Sequence, residues 1–161
     1  MLKKWFKKAS EENVYAPLNG KIVKLEDVPD PVFSEKMMGE GIAILPRDGT
    51  VLSPVDGEIM YVPDTKHAVG LRAKDGTEIL IHVGLETVAL KGEGFTFHVE
   101  NGSNVSKGEK LLEFDLEYVK EHAADTVTPI VITNSADSGK TFTLTEETEA
   151  VAGETVLITV K

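Results

Sequence analysis

From Val14 onward, short apolar runs alternate with clusters of residues that favour turns. The clearest apolar runs span residues 21–25, 42–45, 57–62, 78–82, 110–114, 130–133 and 155–160. Turn signals that end in Asn-Gly or Asp-Gly separate them at residues 18–20, 47–49, 55–57, 74–76 and 100–102. Many short strands at close spacing predict an all-β sandwich or barrel.

One stretch, residues 115–124, favours a short helix instead. Asp115 is placed to cap its first turn, Glu117 lies in that turn, and Pro129 lies beyond its end. We therefore expect an all-β domain with at most short helices.

Two pairs of segments resemble each other within the chain. Residues 16–22 resemble 53–59, and residues 105–111 resemble 150–156. Pro or Gly recurs where a turn needs a fixed or unusual backbone conformation. The recurrence predicts a duplicated, hammerhead-like strand-turn motif, a pattern that lipoyl and biotin carrier domains share. Those domains present a modified lysine beside Met or Asp in a tight turn, and no such hairpin occurs in this sequence.

The composition narrows the class of protein. The chain has 161 residues, enough for one domain with a hydrophobic core. It contains no Cys, which excludes disulfides and cysteine-based zinc sites and fits a reducing compartment. The formal net charge of -10 argues against nucleic-acid binding, and it suits either plain solubility or a partner with a basic face. No apolar run approaches the length needed to span a bilayer.

Residues 1–8 are basic and amphipathic, unlike the rest of the chain. Leu2, Trp5 and Phe6 can share one face of a short helix, which is typical of a weak interfacial membrane anchor; a frayed terminus is the alternative. No apolar segment follows to make a signal peptide. We divide the chain into a flexible or weakly amphipathic segment, residues 1–13, and one domain, residues 14–161. The start at Met1 and the end just after the last predicted strand favour a free-standing protein.

His82 ends an apolar run whose side chains are expected to alternate between two faces. Leu80 and His82 fall on one face, and the other face carries Ile79, Ile81 and Val83. Gly84 permits a bend and offers a nearby carbonyl. A carbonyl that accepts a hydrogen bond from Nδ1 would leave Nε2 of His82 free as a nucleophile. A histidine satisfied within the core is the alternative.

His67 is expected to lie beside His82. A hairpin through the turn at residues 74–76 would pair residues 68–73 with residues 77–83. In such a hairpin the numbers of two directly opposed residues add up to about 150. The numbers of His67 and His82 add up to 149, so the two side chains are expected to be neighbours across the strands. Two adjacent imidazoles can bind a metal, shuttle a proton or stabilise a phosphoryl group. His98 and His122 have no surrounding motif, and we interpret both as structural or solvent-exposed.

Other site motifs are absent. The sequence has no G-x-x-x-x-G-K-[ST] phosphate loop, no G-x-G-x-x-G dinucleotide motif and no H-E-x-x-H zinc motif. It also has no nucleophilic Ser or Cys with an associated base. These absences argue against nucleotide-binding enzymes and against the common hydrolases.

The residues around His82 form a long and specific pattern. Residues 81–95 read Ile-His-Val-Gly-Leu-Glu-Thr-Val-Ala-Leu-Lys-Gly-Glu-Gly-Phe, which resembles the active-site signature of glucose-type enzyme IIA of the bacterial sugar phosphotransferase system. Further matching segments lie at residues 16–20, 28–33, 39–44, 53–57, 65–68, 108–115 and 128–131. The resemblance covers roughly residues 15–161 and implies an antiparallel β-sandwich or flattened barrel.

The resemblance implies a phosphoryl carrier that supports sugar uptake. Nε2 of His82 would accept a phosphoryl group from the carrier protein HPr and pass it to a cysteine on the IIB domain of a glucose-type permease. His67 would stabilise the phosphohistidine, Thr65 would orient His67, and the Gly84 carbonyl would accept from Nδ1 of His82. No cofactor is required beyond the covalent phosphoryl group. In some relatives the two matching histidines bind zinc together with a carboxylate from a bound target protein. By resemblance, His67 and His82 could contribute to such a partner-completed zinc site.

The same chemistry predicts a docking face around His82. An apolar shelf would disfavour the protonated ring and receive the partner. We assign to this shelf Phe33, Val32, Val69, Leu80 and Val83. Asp30 and Glu86 match acidic positions that face the basic rim of HPr in the family. The shelf is less aromatic than is usual in the family.

The resemblance also implies where the protein works. The expected location is the cytoplasm, at or near the inner face of the membrane.

Three other functions stay open. A regulatory binding module would sense sugar flux through the same face without turnover. A lipoyl- or biotin-like carrier would need an exposed lysine for modification. A peptidase-like zinc hydrolase would need a third ligand near His67 and His82.

Overall fold

The computed structural model describes residues 11–161, and within them the chain is built mainly of antiparallel strands. The strands are β1 (Glu12–Tyr15), β2 (Gly20–Lys24), β3 (Glu40–Pro46), β4 (Thr50–Leu52), β5 (Gly57–Tyr61), β6 (Ala68–Ala73), β7 (Glu78–His82), β8 (Phe95–Phe97), β9 (Asn104–Val105), β10 (Lys110–Phe114), β11 (Thr128–Ile132), β12 (Phe142–Leu144), β13 (Glu149–Ala150) and β14 (Val156–Val160). The helices are α1 (Pro31–Ser34) and α2 (Leu116–His122), with 3-10 turns at Leu25–Asp27 and Thr87–Leu90. No helix in this part of the chain is long and apolar enough to cross a membrane.

The described strands form one large sheet and two small ones. The eight-stranded sheet has the order β13-β2-β3-β11-β7-β6-β5-β9, and the three-stranded sheets have the orders β1-β14-β12 and β4-β10-β8. The main core lies on one face of the large sheet and joins it to the small sheets, so the predicted sandwich-like all-β fold is confirmed. Its largest fully buried side chains include Ile44, Ile59, Leu71, Ile81, Leu112, Ile130 and Leu157.

A second apolar cluster covers part of the opposite face of the large sheet. It contains Leu25, Val28, Phe33, Ala43, Leu85, Val127 and Val131. Side-chain alternation explains the division, because Ile130 and Ile132 belong to the main core whereas Val131 between them belongs to this cluster. The segment from Leu25 through α1 therefore packs over the sheet on the side away from the main core.

The predicted β6–β7 hairpin is present with the predicted register. Ala68 pairs with His82 and Gly70 with Leu80, so opposed positions sum to 150. Its turn is closed by the Asp75 carboxylate, which accepts hydrogen bonds from the backbone and the hydroxyl of Thr77. Lys140 donates to the same carboxylate at 2.7 Å. Burial alone would raise the pKa of Asp75, but these hydrogen bonds lower it overall.

The internal resemblance corresponds to two equivalent strand pairings. Gly20 of β2 pairs with Ala150 of β13, and Gly57 of β5 pairs with Val105 of β9. Gly20 and Gly57 occupy the same position in one pair of similar segments, and Ala150 and Val105 do so in the other pair. The two strand pairings are therefore equivalent. The same units close the two ends of the eight-stranded sheet, where β13 and β9 are the terminal strands.

The predicted element boundaries agree closely with the structure. The seven apolar runs correspond to β2, β3, β5, β7, β10, β11 and β14, and the predicted helix is α2, whose cap Asp115 accepts from the backbone N–H of Tyr118 at 3.1 Å. One boundary is wrong: β1 begins at Glu12, which pairs with Val160, so the folded domain begins before Val14. The proposed anchor at residues 1–8 lies outside the described residues.

Candidate phosphoryl-transfer site

The β6–β7 hairpin places two imidazoles side by side. His82 is the last residue of β7, and His67 immediately precedes β6. The backbone N–H of Val83 donates to the His67 carbonyl at 2.8 Å, which extends the hairpin pairing to this point. The two ring centroids lie 4.9 Å apart with an interplanar angle of 79°. The predicted juxtaposition of His67 and His82 is therefore confirmed.

The tautomer of His82 follows from its hydrogen bond. Nδ1 lies 2.7 Å from the carbonyl oxygen of Gly84. A carbonyl can only accept, so Nδ1 carries the proton and Nε2 of the neutral ring keeps its lone pair. The ring of Phe33 packs against the imidazole with centroids 5.2 Å apart. The contact that the sequence predicted between Gly84 and His82 is thus present.

Burial keeps both imidazoles neutral near neutral pH. Desolvation lowers the pKa of His82, although the hydrogen bond to Gly84 and the charge of Asp30 oppose this effect. His67 is only 9% exposed, and burial together with the neighbouring His82 lowers its pKa to about 4. The Thr65 hydroxyl lies 2.7 Å from Nδ1 of His67 and fixes that ring. The pair therefore offers an uncharged nucleophile and an uncharged neighbour.

Gly84 has a conformation that other residues resist. Its φ is +71°, and a Cβ built there would lie 2.8 Å from Cγ2 of Thr87 and 2.9 Å from the Asp125 carbonyl oxygen. The chain turns sharply at this point, so that the carbonyl of Gly84 faces back toward His82. Sequence analysis identified Gly84 and included Thr87 in the family signature without a role, and it missed Asp125; the structure places both beside Gly84.

The donor set around the two rings does not fit a resident metal. In residues 11–161, no group of three or more His, Cys, Asp or Glu side chains is placed to hold an ion. Two histidines alone fall short of the three or four protein ligands of ordinary zinc sites. The remaining histidines lie elsewhere: His98 contacts Glu113 at 3.1 Å, and His122 stacks on Tyr118, and both are exposed.

The predicted docking shelf needs correction at three positions. Val69 and Val83 have no exposed surface and belong to the main core. Both point to the face opposite His82, because Val69 pairs with Ile81 and Val83 lies two residues beyond Ile81. They cannot touch a partner. Phe33 is 4% exposed, so its ring mainly supports the imidazole.

The other predicted docking residues lie at the surface. Val32 is 39% exposed, Leu80 is half-buried, and Glu86 is exposed. Asp30 caps α1 by accepting from the backbone N–H of Val32 at 3.0 Å. Sequence analysis missed further exposed apolar side chains after α1 and in the 3-10 turn Thr87–Leu90, namely Met37, Met38 and Val88. Their identity as surface residues depends on the fold.

A groove extends the face of His82 along the sheet. It has a volume of about 240 Å³ and is lined chiefly by Met60, Tyr61, Gly70, Leu80 and Thr133. Gly70 opens it, since a Cβ there would lie 3.1 Å from Cβ of Tyr61. An ion pair between Arg72 and Glu78 lies at its far end. The near wall, Leu80, lies two residues from His82 and points to the same side.

Comparisons with known proteins point to one family. The profile described as "phosphoenolpyruvate-dependent sugar phosphotransferase system, EIIA 1" matches residues 12–138. The chain is 58% identical over 151 residues to the "PTS system glucose-specific EIIA component" of Halalkalibacterium halodurans, covering 94% of this chain and 87% of that protein. It is 50% identical over 145 residues to the "PTS system glucose-specific EIICBA component" of Staphylococcus carnosus, covering 90% of this chain and 21% of that protein. The solved glucose permease IIA from Mycoplasma capricolum superposes with a TM-score of 0.85 at 37% identity, covering 92% of this chain and 95% of that one.

Proposed function

Since the chain belongs to the EIIA 1 family of the phosphoenolpyruvate-dependent sugar phosphotransferase system, we propose that it carries a phosphoryl group on Nε2 of His82 during sugar uptake. Its role is that of a phosphotransferase component of a glucose-type system, a carrier with a phosphohistidine intermediate. The observation that supports His82 as the carrier is its hydrogen bond from Nδ1 to the Gly84 carbonyl, which leaves Nε2 with a lone pair.

The proposed reaction is a displacement at phosphorus. The Nε2 lone pair attacks the phosphorus of the donor's phosphohistidine, the new N–P bond forms, and the donor's own N–P bond breaks. A neutral ring is required for this attack, and burial supplies it by lowering the pKa of His82. In the second step a cysteine thiolate attacks the same phosphorus and a new S–P bond forms. The N–P bond to His82 breaks, its electron pair returns to Nε2, and His82 leaves as neutral imidazole.

His67 has a supporting role in the proposal. We assign the Thr65 hydroxyl as the donor to Nδ1 of His67, which puts the proton of the neutral ring on Nε2, where it is available to a phosphoryl oxygen. The ring centroid lies 4.9 Å from that of His82, close enough to adjoin a group attached to it. Phosphoryl transfer depends mainly on such positioning and charge stabilisation.

Two proteins are the proposed partners. The EIICBA relative of S. carnosus joins an EIIA part to EIIB and EIIC parts in one chain, which supports the EIIB domain of a glucose-type permease as the acceptor. HPr is the proposed donor. Docking is assigned to Val32, Leu80, Asp30 and Glu86, and the groove that begins at Leu80 adds apolar surface. The proposed location follows from this acceptor: it is the cytoplasm, beside the membrane that holds the permease.

The proposal is tested by phosphorylation in vitro. The protein is incubated with phosphoenolpyruvate, enzyme I and HPr, and the label is mapped by mass spectrometry under alkaline conditions that preserve phosphohistidine. One acid-labile phosphoryl group on His82 is expected, and His82→Ala should accept none. His98→Ala serves as the matched control, because that ring is exposed and outside the site.

Three outcomes would change the proposal. Incorporation at another histidine in His82→Ala would refute the site assignment. A folded wild-type protein that binds HPr without becoming labelled would favour the regulatory binding module. His67→Gln should still accept from HPr but donate poorly to the acceptor, and normal donation in that variant would remove the role of His67.

A further inference from the structure

Two buried threonine hydroxyls hold a single peptide unit next to His82. The Thr87 hydroxyl donates to the carbonyl of Val83 at 2.6 Å. The Thr128 hydroxyl accepts from the backbone N–H of Gly84 at 3.4 Å. That carbonyl and that N–H belong to the same peptide plane, and both threonines have no exposed surface. The peptide is therefore held at both ends.

The direction of each hydrogen bond is defined by its neighbours. The Thr128 hydroxyl donates its own hydrogen to the Thr126 carbonyl at 3.0 Å, so a lone pair remains for Gly84. The Val83 carbonyl can only accept, so Thr87 must donate to it.

The next peptide unit is held in a similar way. Its N–H, on Leu85, donates to the carbonyl of Asp125 at 2.9 Å. Its carbonyl, on Gly84, accepts from Nδ1 of His82 at 2.7 Å. Because Gly84 joins two fixed planes at a φ of +71°, the direction of its carbonyl is set from both sides.

We propose that Thr87 and Thr128 are positioning residues that set the tautomer of His82 by fixing the Gly84 carbonyl. The inference rests on the proposed role of Nε2 as the phosphoryl acceptor. When one threonine contact is lost, the peptide before Gly84 is held on one side fewer, although Leu85 still donates to Asp125. The Gly84 carbonyl then has a wider range of directions and holds the proton on Nδ1 less firmly. The ring is then free to carry its proton on Nε2, where it blocks attack on phosphorus.

The variant Thr87→Val tests this directly, because it keeps the shape of the side chain and removes the hydroxyl. Loss of one buried hydrogen bond is expected to slow phosphoryl acceptance from HPr by about tenfold. Thr87→Ser, which restores the hydroxyl, should recover most of the rate. Thr128→Val removes the hydroxyl on the other side, should shift the tautomer in the same sense, and replaces Thr87→Val if that variant does not fold.

Thr77→Val is the matched control. Thr77 is also a buried threonine, 4% exposed, whose hydroxyl donates to Asp75 at the far end of the same hairpin. Its loss should lower stability without affecting His82. A purely structural role for Thr87 would make Thr87→Val and Thr77→Val behave alike.

The tautomer is read by nitrogen-15 NMR of the full-length, histidine-labelled protein at a pH where His82 is neutral. The wild type should show a protonated Nδ1 and an unprotonated Nε2 on His82. Thr87→Val should shift population toward the Nε2-protonated form, and Thr77→Val should not. An unchanged tautomer and rate in Thr87→Val, or equal damage from Thr87→Ser, would overturn the inference. Failure of wild-type protein to accept a phosphoryl group on His82 would instead refute the proposed function, whatever the NMR result.

Discussion

Replacing His67 by Gln is expected to change how stability depends on pH. In the unfolded chain an ordinary histidine has a pKa of about 6.5, whereas burial and the neighbouring His82 lower the pKa of folded His67 to about 4. Between these values the unfolded state binds a proton that the folded state excludes. The free energy of unfolding therefore falls as the pH drops from about 6.5 to about 4, and this contribution is constant below that range.

The magnitude follows from the difference in pKa. A shift from about 6.5 to about 4 corresponds to about 3 kcal/mol, of which about 2.5 kcal/mol is lost between about pH 7.5 and about pH 4.5. His67 as a residue is 9% exposed, but the desolvation that lowers its pKa is partial, so solvent screening makes these figures upper values. His67→Gln cannot take up a proton, so it should not show this part of the loss.

Chemical denaturation followed by circular dichroism measures the effect at both pH values. Carboxylates titrate in the same range, so the quantity to compare is the wild-type loss minus the loss in His67→Gln. His98→Gln removes an exposed histidine and should behave like the wild type. If His67→Gln loses as much stability as the wild type on acidification, the low pKa assigned to His67 is wrong.

Three further predictions concern other parts of the chain. Lys140→Met should lower the free energy of unfolding by about 1–2 kcal/mol in denaturant titrations, because it strips the cation from the largely buried Asp75 carboxylate; an unchanged midpoint would contradict this. Met60→Ala should slow phosphoryl transfer to the EIICB part of the S. carnosus EIICBA component, whereas Leu45→Ala, equally exposed but outside the groove, should not. Equal rates in the two variants would remove the groove from the docking face. Deleting residues 1–8 should spare phosphorylation while weakening binding to anionic vesicles in flotation assays, and unchanged binding would dismiss the anchor.

The β6–β7 hairpin was predictable because two independent signals agree on it. The alternation in residues 78–82 specifies which side chains face the core, and the Asp-Gly turn at residues 75–76 sets the register. Short strands such as β9 and β13 carry no comparable pattern, since each has only two residues. Their pairing with β5 and β2 is set by the folded core, and the order of strands in the large sheet could not be read from the sequence.

The docking shelf shows where the sequence reasoning failed. Val83 adjoins His82 in the chain, but a one-residue step along a strand reverses the direction of the side chain. Val69 lies directly opposite Ile81 in the hairpin, and directly opposed side chains point to the same face of a sheet, so Val69 also faces the core. The alternation of side chains in the sequence already put Val83 and His82 on opposite faces of the strand. The assignment of Val83 to the docking shelf should have followed this alternation rather than its position next to His82 in the chain. Leu80, two residues from His82, obeys the alternation and lies on the correct face.

The residues that support the site are harder to find from the sequence than the residues that react. Nothing in the sequence marks Thr87 or Thr128 as a residue that supports the site, because threonine is equally common on exposed strands. Burial is what distinguishes them, because a hydroxyl removed from water must have a partner in the protein. Within the part of the chain that the structure describes, no buried side-chain polar atom lacks such a partner. The two hydroxyls bond to the Val83 carbonyl and the Gly84 N–H, which are the two polar groups of one peptide unit. In our proposal these hydrogen bonds therefore serve two purposes: they give the buried hydroxyls partners, and they orient His82 through Gly84.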